Sequence, residues 1–274
     1  MPEELEVKEF PFPYFVRDGL LDSQVVQDIK RNWPGPGYFF SEIPGNWCCT
    51  VEGIQKNGFW KDFCNRVFPL VTFNVLKAFA PWIEAKYPGV DDFLVSNYSL
   101  MQSEGDYGGH NVHNHHYHNP TWVATFLIYL DEPDGHQGTT VMKLKEGFDE
   151  VKSAAKTLGW QGITEEHETV DFKPNRIFAF HDNPIAYHCV KPSKGVFGRR
   201  VFRAHLAVDG PYCDKAYGVD YPTYHKRRIE PTEDPEVLRW LEKDLELLRN
   251  PVKMSETDKE AWIMRKRIQL PKEK

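Results

Sequence analysis

The chain has 274 residues, 41% of them apolar and 14% aromatic, enough to bury a substantial core as one large domain or two small ones. Its 34 basic residues stand against 40 acidic ones, a formal charge of -6, and no long basic stripe of the kind that tracks a phosphate backbone is found, which argues against nucleic acid as a partner. The cysteines (Cys48, Cys49, Cys64, Cys189 and Cys213) lack a CxxC spacing and read as reduced thiols, MPEELEVKEF is unlike a signal peptide, and no apolar run reaches membrane-spanning length, so a soluble cytoplasmic protein with no membrane partner is expected.

Residues 10–34 predict an extended opening strand and then a helix, which Asp22 or Ser23 can cap and Pro34 stops; Val25, Val26, Ile29 and Trp33 fall near helical spacing. From Phe59 to Tyr87, the apolar positions Phe63, Val67, Leu70, Val71 and Leu76 predict helix again, interrupted near Pro69 and Pro81. The middle of the chain changes character. FLVSNYSLMQ (93–102), TWVATFLIYL (121–130), GTTVMKL (138–144), NRIFAF (175–180), AYHCV (186–190) and RRVFRAHLAV (199–208) are short, β-branched or aromatic, and bounded by turn residues, which predicts the strands of a sandwich or barrel. Between the third and fourth, Phe148, Val151, Ala155 and Leu158 fit one helical face with Gly159 as a C-terminal cap. Near the C-terminus, Asp234 can cap a helix with Pro235 at its first position, and Val237, Leu241, Leu245 and Leu248 form an apolar stripe suited to docking on the sheet or on a second subunit of a homodimer. The charged residues after it predict a peripheral helix or a loosely held tail.

HNVHNHHYHNP places five histidines within the eleven residues from His110 to Pro120. On a strand, residues two apart share a face, so His-x-His can present two imidazoles to one metal ion. Two registers are open. His113 with His115 is preferred, because Val112 continues the strand before them and the residues after can form a loop; His116 with His118 is the rival. His188, on a later strand, can supply a third ligand, and three imidazoles on one face of a first-row metal leave positions for other ligands. His110 and His181 can orient a ligand ring, whereas His136, His167 and His225 read as ordinary core or surface residues. Arg199 and Arg203 share a face of the last strand, with Arg200 beside them, and a guanidinium in a sheet-lined pocket suits a carboxylate. Thr125 and Tyr129 share a face of TWVATFLIYL and could offer hydroxyls to the same carboxylate.

The order GDYGGHNVHNH, TWVATFLIYLDEP, GTTV, FKPNRIFAFHDNPIAYHCVKP, RRVFRAHLAV resembles the core of the iron(II)- and 2-oxoglutarate-dependent oxygenases of the prolyl-hydroxylase type, over roughly residues 93–208, and FPYFVRDGLL resembles the usual opening of such domains. The resemblance implies a mainly β fold with flanking helices and a double-stranded β-helix, or jelly-roll, core: an oxygenase-like domain over 1–210 and a helical extension over 211–274 packing on it. It further implies that His113, His115 and His188 bind Fe(II), that 2-oxoglutarate chelates the ion, and that Arg199, or else Arg200 or Arg203, holds the distal carboxylate with help from Tyr129. Dioxygen would then oxidise a small-molecule or peptide substrate, hydroxylating it while 2-oxoglutarate is decarboxylated to succinate. Substrate choice would lie with the segments 38–58 and 131–170, whose aromatic residues include Tyr38, Phe39, Phe40, Trp47, Phe148 and Trp160. The sequence departs from the family in one place: the family's carboxylate ligand is an Asp, and neither His-x-His pair supplies it, which removes a negative charge from around the metal. The competing readings are a three-histidine metal dioxygenase of the cupin type that does not use 2-oxoglutarate, and a non-catalytic jelly-roll binding module.

Overall fold

A computed structural model describes residues 5–43, 46–49, 54, 57–131, 137–156, 159–229 and 233–269. The predicted strands form, at somewhat different lengths, in two antiparallel sheets. The larger runs in the order β1 (Tyr14–Asp18), β9 (Arg176–His181), β6 (Trp122–Tyr129), β11 (Ser193–Val208), β4 (Asp92–Tyr107), β3 (Asn46–Cys49) and β2 (Phe40–Ile43). A short β12 (Arg267–Gln269) lies parallel to β4. The smaller sheet runs β5 (His110–His113), β10 (His188–Val190), β7 (Gln137–Leu144) and β8 (Thr164–Asp171). Strand β8 has no apolar alternation in its sequence, TEEHETVD, because most of its residues are exposed on a sheet edge, where charge blunts pairing with other chains.

Alternation along the central strands sorts two apolar layers. Met101, Tyr129, Phe178, Phe180 and Val201 of the larger sheet pack with Val141 and Val170 of the smaller, so the sheets meet face to face. Their neighbours on the opposite face, among them Leu100, Ala124, Phe126, Ile128, Ala179 and Phe202, bury against helices. Each such large side chain contributes about 1.5–3 kcal/mol when fully withdrawn from water.

Helix α1 (Ser23–Arg31) is capped by Asp22, whose side chain accepts from the Gln24 amide. Helices α2 (Gly58–Arg66) and α3 (Phe68–Lys86) follow, separated at Val67. Pro69 sits in the first turn of α3, where its missing N–H costs nothing. The break expected at Pro81 does not occur: Ala78, Phe79, Ala80, Trp82 and Ile83 are all buried around it, and that packing carries the helix through to Lys86.

The helix expected over 148–158 is shorter. It ends as α5 (Glu150–Ala154), Leu158 lies outside the described residues, and Gly159, at φ 83°, opens a separate turn, α6 (Trp160–Ile163), instead of closing the first. At the C-terminus come α7 (Gly210–Tyr217), α8 (Tyr221–Ile229), α9 (Pro235–Arg249) and α10 (Glu256–Ile263). The stripe of α9 docks mainly on other helices. Val237, Trp240 and Leu241 pack with Cys213, Tyr217, Tyr224 and Ala154, and the Trp82 indole of α3 donates to the Leu248 carbonyl at 3.2 Å. Helix α10 is held by Trp262, which is buried and donates to Glu84 at 2.7 Å. No helix among the described residues is long and apolar enough to cross a membrane.

Candidate metal centre

The histidine segment is not one strand. Strand β5 ends at His113, and His115 opens a helical turn, α4 (His115–His118), because Asn114 accepts the His116 amide N–H in its side chain (2.8 Å), the usual role of Asn at a helix start. The Asn114 carboxamide also donates to the carbonyl of Asn183 (3.0 Å), tying the turn to the loop that leads into β10. His113 and His115 therefore meet across a strand-to-helix corner, and not through the strand alternation expected.

His188 lies directly opposite His113 in the β5–β10 register. The ring centroids of His113 and His188 are 4.2 Å apart, those of His115 and His188 4.6 Å, and those of His113 and His115 5.2 Å. One nitrogen from each lies within 4.8 Å of the others, close enough for one ion to draw them together. The tautomers suit this. Nδ1 of His113 donates to the Asn111 carbonyl (2.8 Å) and Nδ1 of His188 to the Ala186 carbonyl (2.9 Å), so the lone pair of each ring is on Nε2. Burial, reinforced by the neighbouring imidazoles, holds His115 and His188 well below the ordinary histidine pKa, and the neutral ring is the form that binds metal.

Behind His115 lies a polar group of which the sequence reading named only Thr125, as a hydroxyl for a bound carboxylate; its partner is instead Asp182. The Thr125 hydroxyl donates to Asp182 Oδ2 (2.7 Å) and sits 2.8 Å from His205 Nδ1 and 3.1 Å from His115 Nδ1. Because its proton goes to the carboxylate, both rings donate to the hydroxyl oxygen, which places the lone pair of His115 on Nε2 as well. Asp182 Oδ1 faces His115 Nδ1 at 3.3 Å. Burial raises the Asp182 carboxyl to about 8, against the lowering effect of the Thr125 bond. His205 stacks on Trp122, with centroids 3.9 Å apart. Its signal was available: it continues the period-two face of Arg199, Val201 and Arg203. Asp182 had none, since only its contact with Thr125, 57 residues away, gives it a role.

The three imidazoles open on a cavity of about 40 Å³ between the sheets, lined also by His110, Leu127, Thr139, Arg199 and Arg203. No carboxylate is among the lining residues. Arg199 is buried, its guanidinium 5.2 Å from the Phe172 ring centroid. Arg200, a candidate for the same role, points the other way: it forms a two-pronged pair with Asp131 (2.8 and 2.7 Å) and covers Trp33, because adjacent strand residues face opposite sides. Tyr129 does not line the cavity. Its hydroxyl donates to Thr139 Oγ1 (2.9 Å) and accepts the Thr139 amide (3.0 Å), with its ring stacked on Phe172. Gly138 makes this packing possible, since a Cβ there would stand 2.9 Å from the Tyr129 hydroxyl and 2.4 Å from the Val170 carbonyl oxygen.

The remaining histidines separate. His116, in the rival register, turns away from the cavity to Lys86 Nζ (3.1 Å) and Asp244 Oδ2 (3.2 Å) between helices, and burial beside Lys86 lowers its pKa to about 4. The side chain of His118 and the whole of His136 lie outside the described residues. His110 stands 5.9 Å from His113 in the cavity wall. His181, expected to orient a ligand ring, instead faces the helices near Lys86 and Asp244, and its pKa is lowered to about 3 by burial. Of the aromatic residues expected at a rim, Tyr38, Phe40, Trp47 and Phe148 are exposed, Phe39 stacks on Trp33 and Trp160 is buried; none lines the cavity.

No family model matches the chain, and no curated protein matches its sequence. Among solved structures, the chain is similar to a Pseudomonas putida prolyl-4-hydroxylase, at 12% identity and a TM-score of 0.45 over 72% of this chain and 93% of that one. It is also similar to an oxidoreductase of the 2OG-Fe(II) oxygenase family from Burkholderia pseudomallei (9%, TM-score 0.45, 71% and 84%). A third is a Trichoplax adhaerens prolyl hydroxylase in complex with a peptide fragment of the hypoxia inducible factor oxygen degradation domain (12%, TM-score 0.47, 71% and 83%). With TM-scores below 0.5, these likenesses assign no residue of this chain a role.

Proposed function

We propose that this chain is an Fe(II)- and 2-oxoglutarate-dependent oxygenase with a double-stranded β-helix core over residues 1–210, a helical extension over 211–274, and Fe(II) held by His113, His115 and His188. One observation carries the reading: three imidazoles, each with one nitrogen within 4.8 Å of the others, line a cavity that Arg199 and Arg203 also line. The set fits a first-row divalent metal, whose preference for imidazole nitrogen it meets with open positions to spare. When bound, iron with 2-oxoglutarate and dioxygen supplies the oxidising chemistry, with succinate as the product of decarboxylation.

The chain's own share is to place charges and exclude water. Arg199, deeper and more enclosed than Arg203, is assigned the distal carboxylate of 2-oxoglutarate, which a planar guanidinium grips with two parallel bonds. Tyr129 reaches that carboxylate only indirectly, by holding Thr139 in the cavity wall. A cavity of 40 Å³ has room for about three waters. The co-substrate therefore enters by displacing the arginine side chains that line the space. A small molecule or peptide is the proposed substrate class.

The all-imidazole set also favours a second reading, a cupin-type dioxygenase in which the substrate itself binds the metal. Anaerobic titration with Fe(II) and then 2-oxoglutarate separates the two. The oxygenase reading expects a weak visible charge-transfer band from the chelate, lost in His188→Ala, and succinate on admission of oxygen. Metal binding without the band and without succinate would overturn the first reading.

A further inference from the structure

We infer that Asp182 is a positioning residue of the three-histidine site: its carboxyl group, set against the Nδ1 side of His115, fixes the ring that would bind the metal. The inference rests on the assignment of His113, His115 and His188 as metal ligands. It begins with a second cluster. His115, Asp182 and His205 also bring one ligand-type atom each within 4.8 Å of the others, and two imidazoles with a carboxylate would by composition suit iron. That cluster is closed, however. The Thr125 hydroxyl stands among its members and contacts all three, at 2.7 Å from Asp182, 2.8 Å from His205 and 3.1 Å from His115. Neither Asp182 nor His205 lines the cavity. The carboxylate therefore lies one imidazole behind the open site, on the Nδ1 side of His115, while Nε2 faces His113 and His188.

Geometry gives this placement its effect. The cavity is lined by imidazoles and two arginines and by no carboxylate. Asp182 is buried, and Oδ1 takes no hydrogen bond of ordinary geometry among the described residues; it faces the His115 N–H at 3.3 Å. A carboxyl group in that position holds the ring in one orientation and one tautomer. Thr125 links the same group to His205, whose ring is clamped against Trp122.

The test is Asp182→Asn in the full chain, titrated with Co(II) alone and followed by the visible absorption of bound cobalt. The expected result is an affinity about 10- to 100-fold weaker, with shifted cobalt bands, and a metal-free thermal midpoint no lower than wild type. A folded variant that binds cobalt with wild-type affinity and spectrum overturns the inference. If the asparagine variant does not fold, Thr125→Ser and Thr125→Val replace it: weakening by valine but not serine supports the link, and equal binding by the two overturns it. His188→Ala, run in parallel, keeps the two ideas apart, because undiminished cobalt binding there removes the ligand assignment itself.

Discussion

His115 and His116 are neighbours in the chain, yet their side chains enter two different buried polar regions. On one side, His115 joins His113 and His188 around an open cavity, with Asp182 set behind it. On the other, His116 completes a closed group in which Asp244 accepts from Lys86 (3.0 Å) and from the Tyr217 hydroxyl (2.7 Å). The first region is lined by two arginines and no carboxylate. The second is internally balanced: burial would raise the Asp244 carboxyl, but the charge of Lys86 and the bonds from His116 and Tyr217 hold it well below the usual range. One residue of helical turn after Asn114 divides a cavity-lining histidine from one that ties helices together.

The sharpest way to break this contrast is to remove a ring from each side. His188→Ala is expected to abolish detectable Fe(II) binding by anaerobic calorimetry, whereas His116→Ala leaves it intact and lowers the urea midpoint; the reverse pattern would exchange the two assignments. Next in size, Lys86→Met leaves Asp244 buried without its cation and is expected to cost about 3–5 kcal/mol in urea unfolding, with metal affinity unchanged. Arg199→Met should weaken the 2-oxoglutarate-dependent absorption titration by about 10-fold or more, the loss of a charge-assisted pair worth roughly 1.5–3 kcal/mol. Arg200→Met should leave that titration unchanged, because its partner is Asp131.

Acid sharpens the second region. His181 has a folded pKa of about 3 against an ordinary 6.5, so the unfolded chain takes up its proton first and stability falls as pH drops from 6.5 toward 3. Asp244 acts in the same direction: its contribution is present above the ordinary carboxylate value of 3.8 and is lost as pH falls toward its depressed folded value. Asp182 acts the opposite way, because its carboxyl is raised to about 8 in the folded chain and its contribution grows as pH falls. The thermal midpoint of metal-free His181→Gln should therefore fall less than that of wild type, or rise more, between pH 6.5 and pH 4. Smallest of all, Asn114→Ala removes the cap of the turn and should cost about 1 kcal/mol in stability, with a modest loss of metal affinity as His115 loosens.

Much of the frame was legible in the residues. Phe126 and Ile128 alternate with Thr125 and Leu127, and that period separates a helix-packed face from a cavity face. The same rule applied to RRVFRAHLAV puts Arg199, Arg203 and His205 together and turns Arg200 outward. The edge strands β2 and β8, and the four-residue β3 beside β2, were missed because an edge does not need an apolar alternation and a strand of four residues is too short to display one. The helix ending at Lys86 overrode its proline because it is buried on several sides, a property of its neighbours and not of its own sequence.

Taken alone, the amino-acid order determined the central strands, the crowd of imidazoles and the guanidinium face, because each depends on chain neighbours two to four residues apart. Tertiary structure decided which histidines meet. His113 pairs with His188 and Asn114 with Asn183 across about seventy residues of chain, and Thr125 reaches Asp182 from a different strand. Such contacts arise only when two sheets close face to face, and no local periodicity encodes the distance between groups brought together in that way.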